Sequence, residues 1–354
     1  MAEVDNEKLN ALVGKVLGDL GGALSVPTVR IGYRLGLFDA LHHAGPASAG
    51  ELSARLGLAE RYVREWALAQ AANGYLTYEP GSERFSLPPE QAMMFAVKDS
   101  PLYMEGAFDL AAATIEGGPK VEAAFRTGEG VAWGDNAGCL FCAVGAFFRP
   151  GYVNSIVQSW LPALDGVLPR LQAGIKVADV GCGVGFSTLL MAKAFPNSEF
   201  VGYDFHPPSI EQANAHALSH GPAGRVRFEV AVAKALPGDG FDLVTMFDCL
   251  HDMGDPGGAA AHIRTRLKPD GTWMIVEPVA ADSVSDNLAN PVSRLYYNAS
   301  TMICVPTALS QEGGQALGAQ AGEKRLTEIL AGAGFTRIRR ATEGPFNMVL
   351  EVRA

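Results

Sequence analysis

The stretch Lys176-Val-Ala-Asp-Val-Gly-Cys-Gly-Val-Gly-Phe186 sets one carboxylate, Asp179, ahead of three glycines at 181, 183 and 185. An apolar run that ends in glycines and leads into the apolar stretch Phe186 to Ala194 reads as a strand, a tight loop and a helix. Glycines there let the backbone pass close to a ligand at the carboxyl end of a parallel strand. The dinucleotide fingerprint Gly-x-Gly-x-x-Gly is not met, because Phe186 stands where its third glycine would be. A second reactive group lies in Phe241-Asp-Leu-Val-Thr-Met-Phe-Asp-Cys-Leu-His-Asp-Met-Gly-Asp255, a buried-strand pattern with Phe247 and Asp248 at its carboxyl end and His251 just beyond. A neutral imidazole, with an ordinary pKa of about 6.5, accepts the proton of a hydroxyl as that hydroxyl attacks an electrophile. His251 is therefore the candidate base; a histidine capping the following helix is the structural alternative.

Elements that could hold these residues follow from the alternation of strand and helix patterns after Lys176. Strands are expected at 176–180, 199–203, 226–230, 242–247 and 272–277, which predicts a parallel sheet with helices on both faces. The last two apolar runs, Phe335-Thr-Arg-Ile-Arg-Arg-Ala and Phe346-Asn-Met-Val-Leu-Glu-Val, are joined by a turn too short for a parallel crossover, so the final strand must run antiparallel. The second strand ends at Asp204, about twenty residues after the glycine loop, where a carboxylate can accept hydrogen bonds from both hydroxyls of a ribose. The alternative there is a helix cap for Pro208-Ser-Ile-Glu. Phe205 follows and is placed to stack on an adenine.

The Asp179-Val-Gly-Cys-Gly-Val-Gly185 spacing resembles motif I of class I S-adenosylmethionine (SAM) methyltransferases. That resemblance implies an α/β fold over roughly residues 150–354, a Rossmann-like seven-strand class I methyltransferase sheet closed by a reversed hairpin. It also implies SAM as cofactor and S-adenosylhomocysteine as product. Gly181, Cys182, Gly183 and Gly185 would cradle the cofactor, and Asp179 would order the loop or reach the methionine amino group through water. Phe247 and Asp248 would stand beside the cofactor. Where related methyltransferases often carry an acidic residue for the adenine amino group, this chain has Val232, which leaves backbone groups of Val232 and Ala233 for that task.

Leu250-His-Asp-Met-Gly-Asp255 resembles the His-Asp-Trp-x-Asp signature of plant-type O-methyltransferases, with Met253 in place of Trp. The resemblance implies that His251 deprotonates the acceptor hydroxyl. Leu267-Lys-Pro-Asp-Gly-Thr-Trp-Met-Ile-Val-Glu-Pro278 is similar to the turn and fifth strand of the same family, and implies that Glu277 holds the imidazole in one tautomer. A buried carboxylate bonded to a backbone amide is the alternative role for Glu277. Glu323 is a looser candidate for a second orienting group, and Tyr296, Tyr297 and Met302 are candidates for the pocket wall. No cluster of carboxylates has the spacing of metal ligands, so no metal is expected.

Ahead of this domain, Thr28 to about Met94 reads as three helices and a hairpin, an N-terminal, mostly helical winged-helix domain. Gly36-Leu-Phe-Asp-Ala-Leu is expected to end one helix, and Ser48-Ala-Gly-Glu51 to open the next with a capping box. Ala59 to Asn73 forms the third, with Trp66 buried, and strands at 74–78 and 84–87 form the wing. That helix offers Arg61 and Arg64 against Glu60 and Glu65, and the whole chain carries a net charge of -10, so a phosphate-backbone partner is not expected. The arrangement resembles small-molecule O-methyltransferases of plants and bacteria, which implies that the module dimerises; apolar Leu9 to Leu20 adds to an expected homodimer. The expected domains are thus 1–100 winged helix, 101–170 helical linker and substrate lid or plain packing helices, and 171–354 SAM binding.

With 354 residues, 48% hydrophobic and 19% charged, the chain can bury two cores. The acidic start Met-Ala-Glu-Val-Asp-Asn-Glu-Lys lacks the pattern of a secretory signal, and no apolar run is expected to reach a membrane span of roughly 18 residues. Five cysteines, at 139, 142, 182, 249 and 304, predict reduced thiols and a cytoplasmic location; Cys139-Leu-Phe-Cys142 has the spacing of half a zinc site or of a redox pair, and two thiols on an apolar helix face is the preferred reading. Together these readings predict a SAM-dependent methyltransferase acting on a small-molecule acceptor, with a hydroxyl deprotonated by His251. N- or C-methylation, and a SAM-sensing winged-helix transcriptional regulator, are the alternatives.

Overall fold

The computed structural model describes residues 4–136, 138–220 and 224–354. The chain divides into two compact units, Met1–Ala112 and Ala113–Ala354.

In the first unit, α1 (Asn6–Arg34) is capped by Asp5, whose carboxylate accepts from the amides of Glu7 and Lys8. It is followed by α2 (Leu37–Ala44), α3 (Ala49–Leu56), α4 (Glu60–Ala72) and an antiparallel hairpin of β1 (Thr77–Glu79) and β2 (Arg84–Ser86). The helices α3 and α4 and the second wing strand stand near their expected places, the first wing strand starts three residues later than expected, at Thr77, and Ser48 and Glu51 close the capping box on α3. The segment from Gly36 differs. Gly36 takes a left-handed φ of 68° and starts α2 instead of ending a helix, because Leu37, Phe38 and Leu41 turn inward. Trp66 is buried against Phe38, and its indole N–H donates to the carbonyl of Thr28 at 2.9 Å.

Most of the apolar side chains in the first half of α1, from Leu9 through Leu20, remain exposed. By length and composition two helical stretches, Asn6–Arg34 and Leu140–Ala163, meet the requirement for crossing a membrane, with 11% and 28% of their most apolar windows buried. This corrects the expectation that no run reaches that length: leucines, valines and alanines in α1 hold the average hydropathy up between isolated charges such as Lys15 and Asp19. Of the polar start, residues 1–3 lie outside the described residues.

The second unit holds a seven-stranded sheet of β3 (Lys176–Val180), β4 (Glu199–Asp204), β5 (Val226–Val230), β6 (Phe241–Phe247), β7 (Leu267–Pro278), β8 (Arg337–Glu343) and β9 (Asn347–Arg353). Their order is β5-β4-β3-β6-β7-β9-β8; the first five run parallel, and β9 pairs antiparallel with both β7 and β8. β7 is longer than expected, since it takes in the Lys-Pro-Asp-Gly segment ahead of Thr272. One face packs Val180, Val244, Met246, Trp273 and Leu350, and the other packs Val177, Phe200, Leu243, Met274 and Val349. Each such side chain contributes roughly 1.5–3 kcal/mol on burial. The five parallel strands end on one edge, and the residues with chemistry lie there.

The helix Leu140–Ser155 begins at Cys139, and Cys139 is joined to Cys142 by a disulfide. The expectation of two reduced thiols is corrected accordingly: three residues of helical turn bring the two Cα atoms to 5.2 Å, within bridging range. Cys182, Cys249 and Cys304 are free thiols.

Candidate active site

The carboxyl ends of β3 and β4 shape the glycine loop. The amides of Gly181 and Cys182 both donate to the carbonyl of Tyr203, at 2.7 and 3.0 Å. Gly185 has φ 84°, and a Cβ there would lie 2.7 Å from the Phe228 ring, so only glycine lets the helix Phe186–Ala194 sit this close to the sheet. Gly183 has φ 52°, yet a Cβ there would meet no protein atom within 4 Å. The loop is therefore pinned to the protein on one side and bare at Gly183 on the other, as a backbone cradle for a ligand requires.

Asp179 is buried, and its oxygens accept hydrogen bonds from Ser187 Oγ at 2.7 Å, Thr188 Oγ1 at 2.6 Å and Thr245 Oγ1 at 2.9 Å. It ties the helix after the loop to β6. Asp204 accepts from the amides of Gly183 and His206, each at 2.9 Å. It thereby links the loop to the start of the helix Pro207–His220, so the cap-like bond and the loop contact occur together. Burial pushes the Asp204 carboxyl up to about 6, against the pull of those two amides. Phe205 is 42% exposed and Val232 47% exposed, with Ala233 opening a short helical turn beyond it.

At the end of β6, Phe247 is buried between Tyr152 and Trp160. Asp248 takes a left-handed φ of 51°, a conformation that costs a non-glycine residue about 1–2 kcal/mol. Tyr152 Oη donates to its carboxylate at 3.2 Å and Asn347 Nδ2 at 2.6 Å. Burial, reinforced by the charge of Glu277, pushes Asp248 up to about 8.

His251 sits in the turn Leu250–Asp252 and is buried. Its Nδ1 is bonded to Glu277 Oε2, and Glu277 Oε1 accepts from the amide of Leu250 at 2.9 Å. Glu277 thus fills both roles open to it in the sequence. The helix Pro256–Arg266 is capped by Asp255, which accepts from the amide of Gly258 at 2.8 Å, so His251 is free of that duty. Its Nε2 lies 3.2 Å from Asp252 Oδ1. Burial works to lower the imidazole pKa, but the charges of Asp252 and Glu277 outweigh it and hold the ring well above 6.5.

Asp179, Gly181 to Gly185 and Asp204 stand at the ends of β3 and β4 as one group, in which Asp204 is bonded to Gly183, and Asp248, His251 and Glu277 stand at the ends of β6 and β7 as a second, in which His251 is bonded to Glu277; Cys249 Sγ lies 3.4 Å from the carbonyl of Val180 between them. Glu323 does not join either group. It pairs with Arg340 at 2.6 Å, because its helix begins at Gly322 and faces β8. Tyr296 donates to the carbonyl of Phe346 at 2.6 Å. Met302 lines an open cavity of about 410 Å³ with Val121 and Phe125, and none of the lining residues belongs to either group. The sequence assigns no role to Asp252, Cys304 or Asn347, and places Tyr152 only in the helical segment expected as lid or packing helices. Only Asp252, inside the His-Asp motif, carried a signal; the others reach the site from distant elements.

Residues 171–334 match the family described as "Methyltransferase domain", and residues 22–96 match the "Rv2258c-like winged HTH domain". Among curated proteins, the ubiquinone biosynthesis O-methyltransferase of Leptothrix cholodnii is 30% identical over 146 residues, 40% of this chain and 59% of that protein. That of Ralstonia nicotianae is 37% identical over 129 residues, 35% of this chain and 50% of that protein. The chain spans about half the length of the curated relatives it matches. Human N-acetylserotonin methyltransferase in complex with SAM shares the fold with a TM-score of 0.71 at 18% identity, covering 100% of this chain and 99% of that one. The mitomycin 7-O-methyltransferase MmcR does so with a TM-score of 0.67 at 20% identity, covering 99% and 100%.

The sheet order, the glycine loop and these matches define a class I SAM-dependent methyltransferase domain. The chain carries this methyltransferase domain at residues 171–334, behind a winged HTH domain at residues 22–96.

Proposed function

We propose that the chain transfers a methyl group from SAM to a hydroxyl of a small, aromatic or polyketide-like acceptor, with His251 as general base. The observation that carries this reading is the buried Glu277–His251 pair at the carboxyl end of the sheet. Glu277 fixes the Nδ1 side of the ring, so its Nε2 is the nitrogen left for the acceptor's proton. When bound, SAM supplies an electrophilic methyl on a positively charged sulfur, and S-adenosylhomocysteine leaves.

The residues present suit that cofactor. Gly183 offers a bare backbone for close approach, and Asp204 keeps lone pairs for ribose hydroxyls beyond its two amide bonds. Phe205 and Val232 present exposed apolar surface suited to an adenine, with the backbone of Val232 and Ala233 nearby. Asp179, Gly181, Cys182 and Gly185 build the loop, and Phe247 and Asp248 flank it from β6.

Leu12, Val13, Val16 and Leu20 on α1 are exposed apolar side chains that a second copy of the chain would cover, which supports a homodimer. A monomer at micromolar concentration in sedimentation would remove that part. The central test is calorimetric titration with SAM and S-adenosylhomocysteine, followed by a screen of hydroxylated acceptors with wild type and His251→Ala. Binding lost in Asp204→Ala and turnover lost in His251→Ala support the reading. Undiminished turnover in His251→Ala would point instead to N- or C-methylation, where positioning matters more than a base.

A further inference from the structure

We propose that His251, Asp252 and Cys304 form a binding site for a divalent cation of the zinc class. One ligand atom from each of His251, Asp252 and Cys304 lies within 4.8 Å of the others, and His251 Nε2 stands 3.2 Å from Asp252 Oδ1. Imidazole, carboxylate and thiol are the three donor types that zinc takes, and three protein ligands with one open position is the pattern of a reactive zinc site. The set is mixed, so hard cations such as magnesium, which prefer oxygen, are disfavoured.

Two further observations point to a ligand. Asp252 Oδ1 is buried and accepts no hydrogen bond, although His251 Nε2 is 3.2 Å away. The ring beside it carries the opposite charge when protonated, and a cation that replaces the ring proton would take up the same oxygen. The far side of the ring is already built as zinc sites build it: His251 Nδ1 is bonded to the buried Glu277, which fixes the tautomer that presents Nε2 to a metal. Cys304 closes a π-helical turn, Ser300–Cys304, an irregularity often found at functional sites. Ligand atoms about 2.0–2.3 Å from zinc stand about 3.4–3.8 Å apart, so the thiol needs to move by only about 1 Å. Asp252, with 21% of its side chain exposed, marks the way in. Burial, with the charge of Asp252, pushes the Cys304 thiol up to about 12, and a bound cation removes that proton outright.

Binding stands on this geometry alone. Its consequence rests on the methyl-transfer reading: a cation on Nε2 occupies the lone pair that the acceptor's proton needs, so the metal-loaded form is inhibited.

The probe is Co2+ added to the full-length protein freed of metal, read by absorption spectroscopy. One equivalent is expected to give tetrahedral d–d bands and a thiolate charge-transfer band, both bleached by Zn2+. Cys304→Ala should lose the thiolate band, and Asp252→Asn should weaken binding by at least about tenfold. The Cys139→Ala/Cys142→Ala double variant should keep the spectrum. Wild-type thermal unfolding with one equivalent of Zn2+ gives a check free of variants, and the midpoint should rise. No thiolate band, a band retained in Cys304→Ala, or an unmoved midpoint would overturn the site. With an acceptor in hand, turnover that persists with zinc bound would overturn the inhibition while leaving both the site and the methyltransferase reading intact.

Discussion

Glu277 divides its two carboxylate oxygens between the ring of His251 and the amide of Leu250, the residue just before that histidine. The turn and the side chain are therefore oriented by one buried acid on the neighbouring strand. With Nδ1 committed to the carboxylate, proton exchange at the ring is left to Nε2. Removing the imidazole in His251→Ala should lower kcat for methyl transfer by about 10²–10⁴-fold while SAM affinity stays unchanged. Isothermal titration beside a turnover assay separates the two effects.

The same pair sets a pH dependence. Because its carboxylate neighbours hold His251 well above 6.5, the ring becomes a neutral base only as pH rises through that raised value. kcat/KM should climb with pH along a limb placed above 6.5, and Glu277→Gln should move the limb to lower pH while lowering the plateau. The sign for stability is opposite: the contribution of the charged ring is fully present below its unfolded pKa of about 6.5 and fades as pH rises through the folded value. A pH–rate profile of both proteins is the check.

Asp204 gives a second titration. Its carboxyl is pushed up to about 6, and a neutral carboxyl accepts from ribose hydroxyls less strongly than a carboxylate. SAM affinity should fall as pH drops through about 6. Asp204→Asn should bind more weakly throughout and lose this dependence in the same calorimetric series.

For Asp248 the folded pKa of about 8 lies above the ordinary 3.8, so the native state holds a proton that the unfolded chain releases. Wild-type stability should decline as pH rises from about 4 through about 8, as ionisation of the buried group becomes more costly. Asp248→Asn removes that term. Its melting temperature relative to wild type should therefore increase across this range and level off above it.

Gly183 and Gly185 separate folding from binding. Both have left-handed φ, so an alanine costs about 1–2 kcal/mol at either place. At Gly185 the new Cβ also meets Phe228 at 2.7 Å, and Gly185→Ala should lower the melting temperature further. At Gly183 it meets no protein atom, so Gly183→Ala should keep most of the stability and lose SAM affinity. Thermal unfolding and calorimetry on the two variants test the contrast.

What the sequence disclosed follows the range of each interaction. β3 and β5 match their expected bounds, and the Ser48–Glu51 capping box closes, because alternation, capping and glycine punctuation act within a few residues. The glycine loop, Asp204, His251 and Glu277 were legible because each sits at a strand end, where period and punctuation coincide. Cys304, Tyr152 and Asn347 were not, because each comes from an element whose approach is set by tertiary packing. The disulfide was missed because Cys139-Leu-Phe-Cys142 satisfies equally well the spacing of two free thiols on one helical turn. Gly36 to Leu41 is expected to end one helix, yet α1 stops at Arg34 and the left-handed Gly36 opens a separate α2, a break that the apolar pattern on both sides of the glycine does not mark.

The latest strand in the sequence, β9, lies inside the sheet, and it carries Asn347 to the carboxylate of Asp248. On a ribosome, β7 emerges well before its antiparallel neighbour exists. During that interval the backbone edge of the strand bearing Glu277 is open, and Asp248 lacks one of its two donors. The end of the sheet that carries Glu277 and Asp248 is therefore complete only once β9 is in place, whereas the glycine loop rests on β3 and β4 alone.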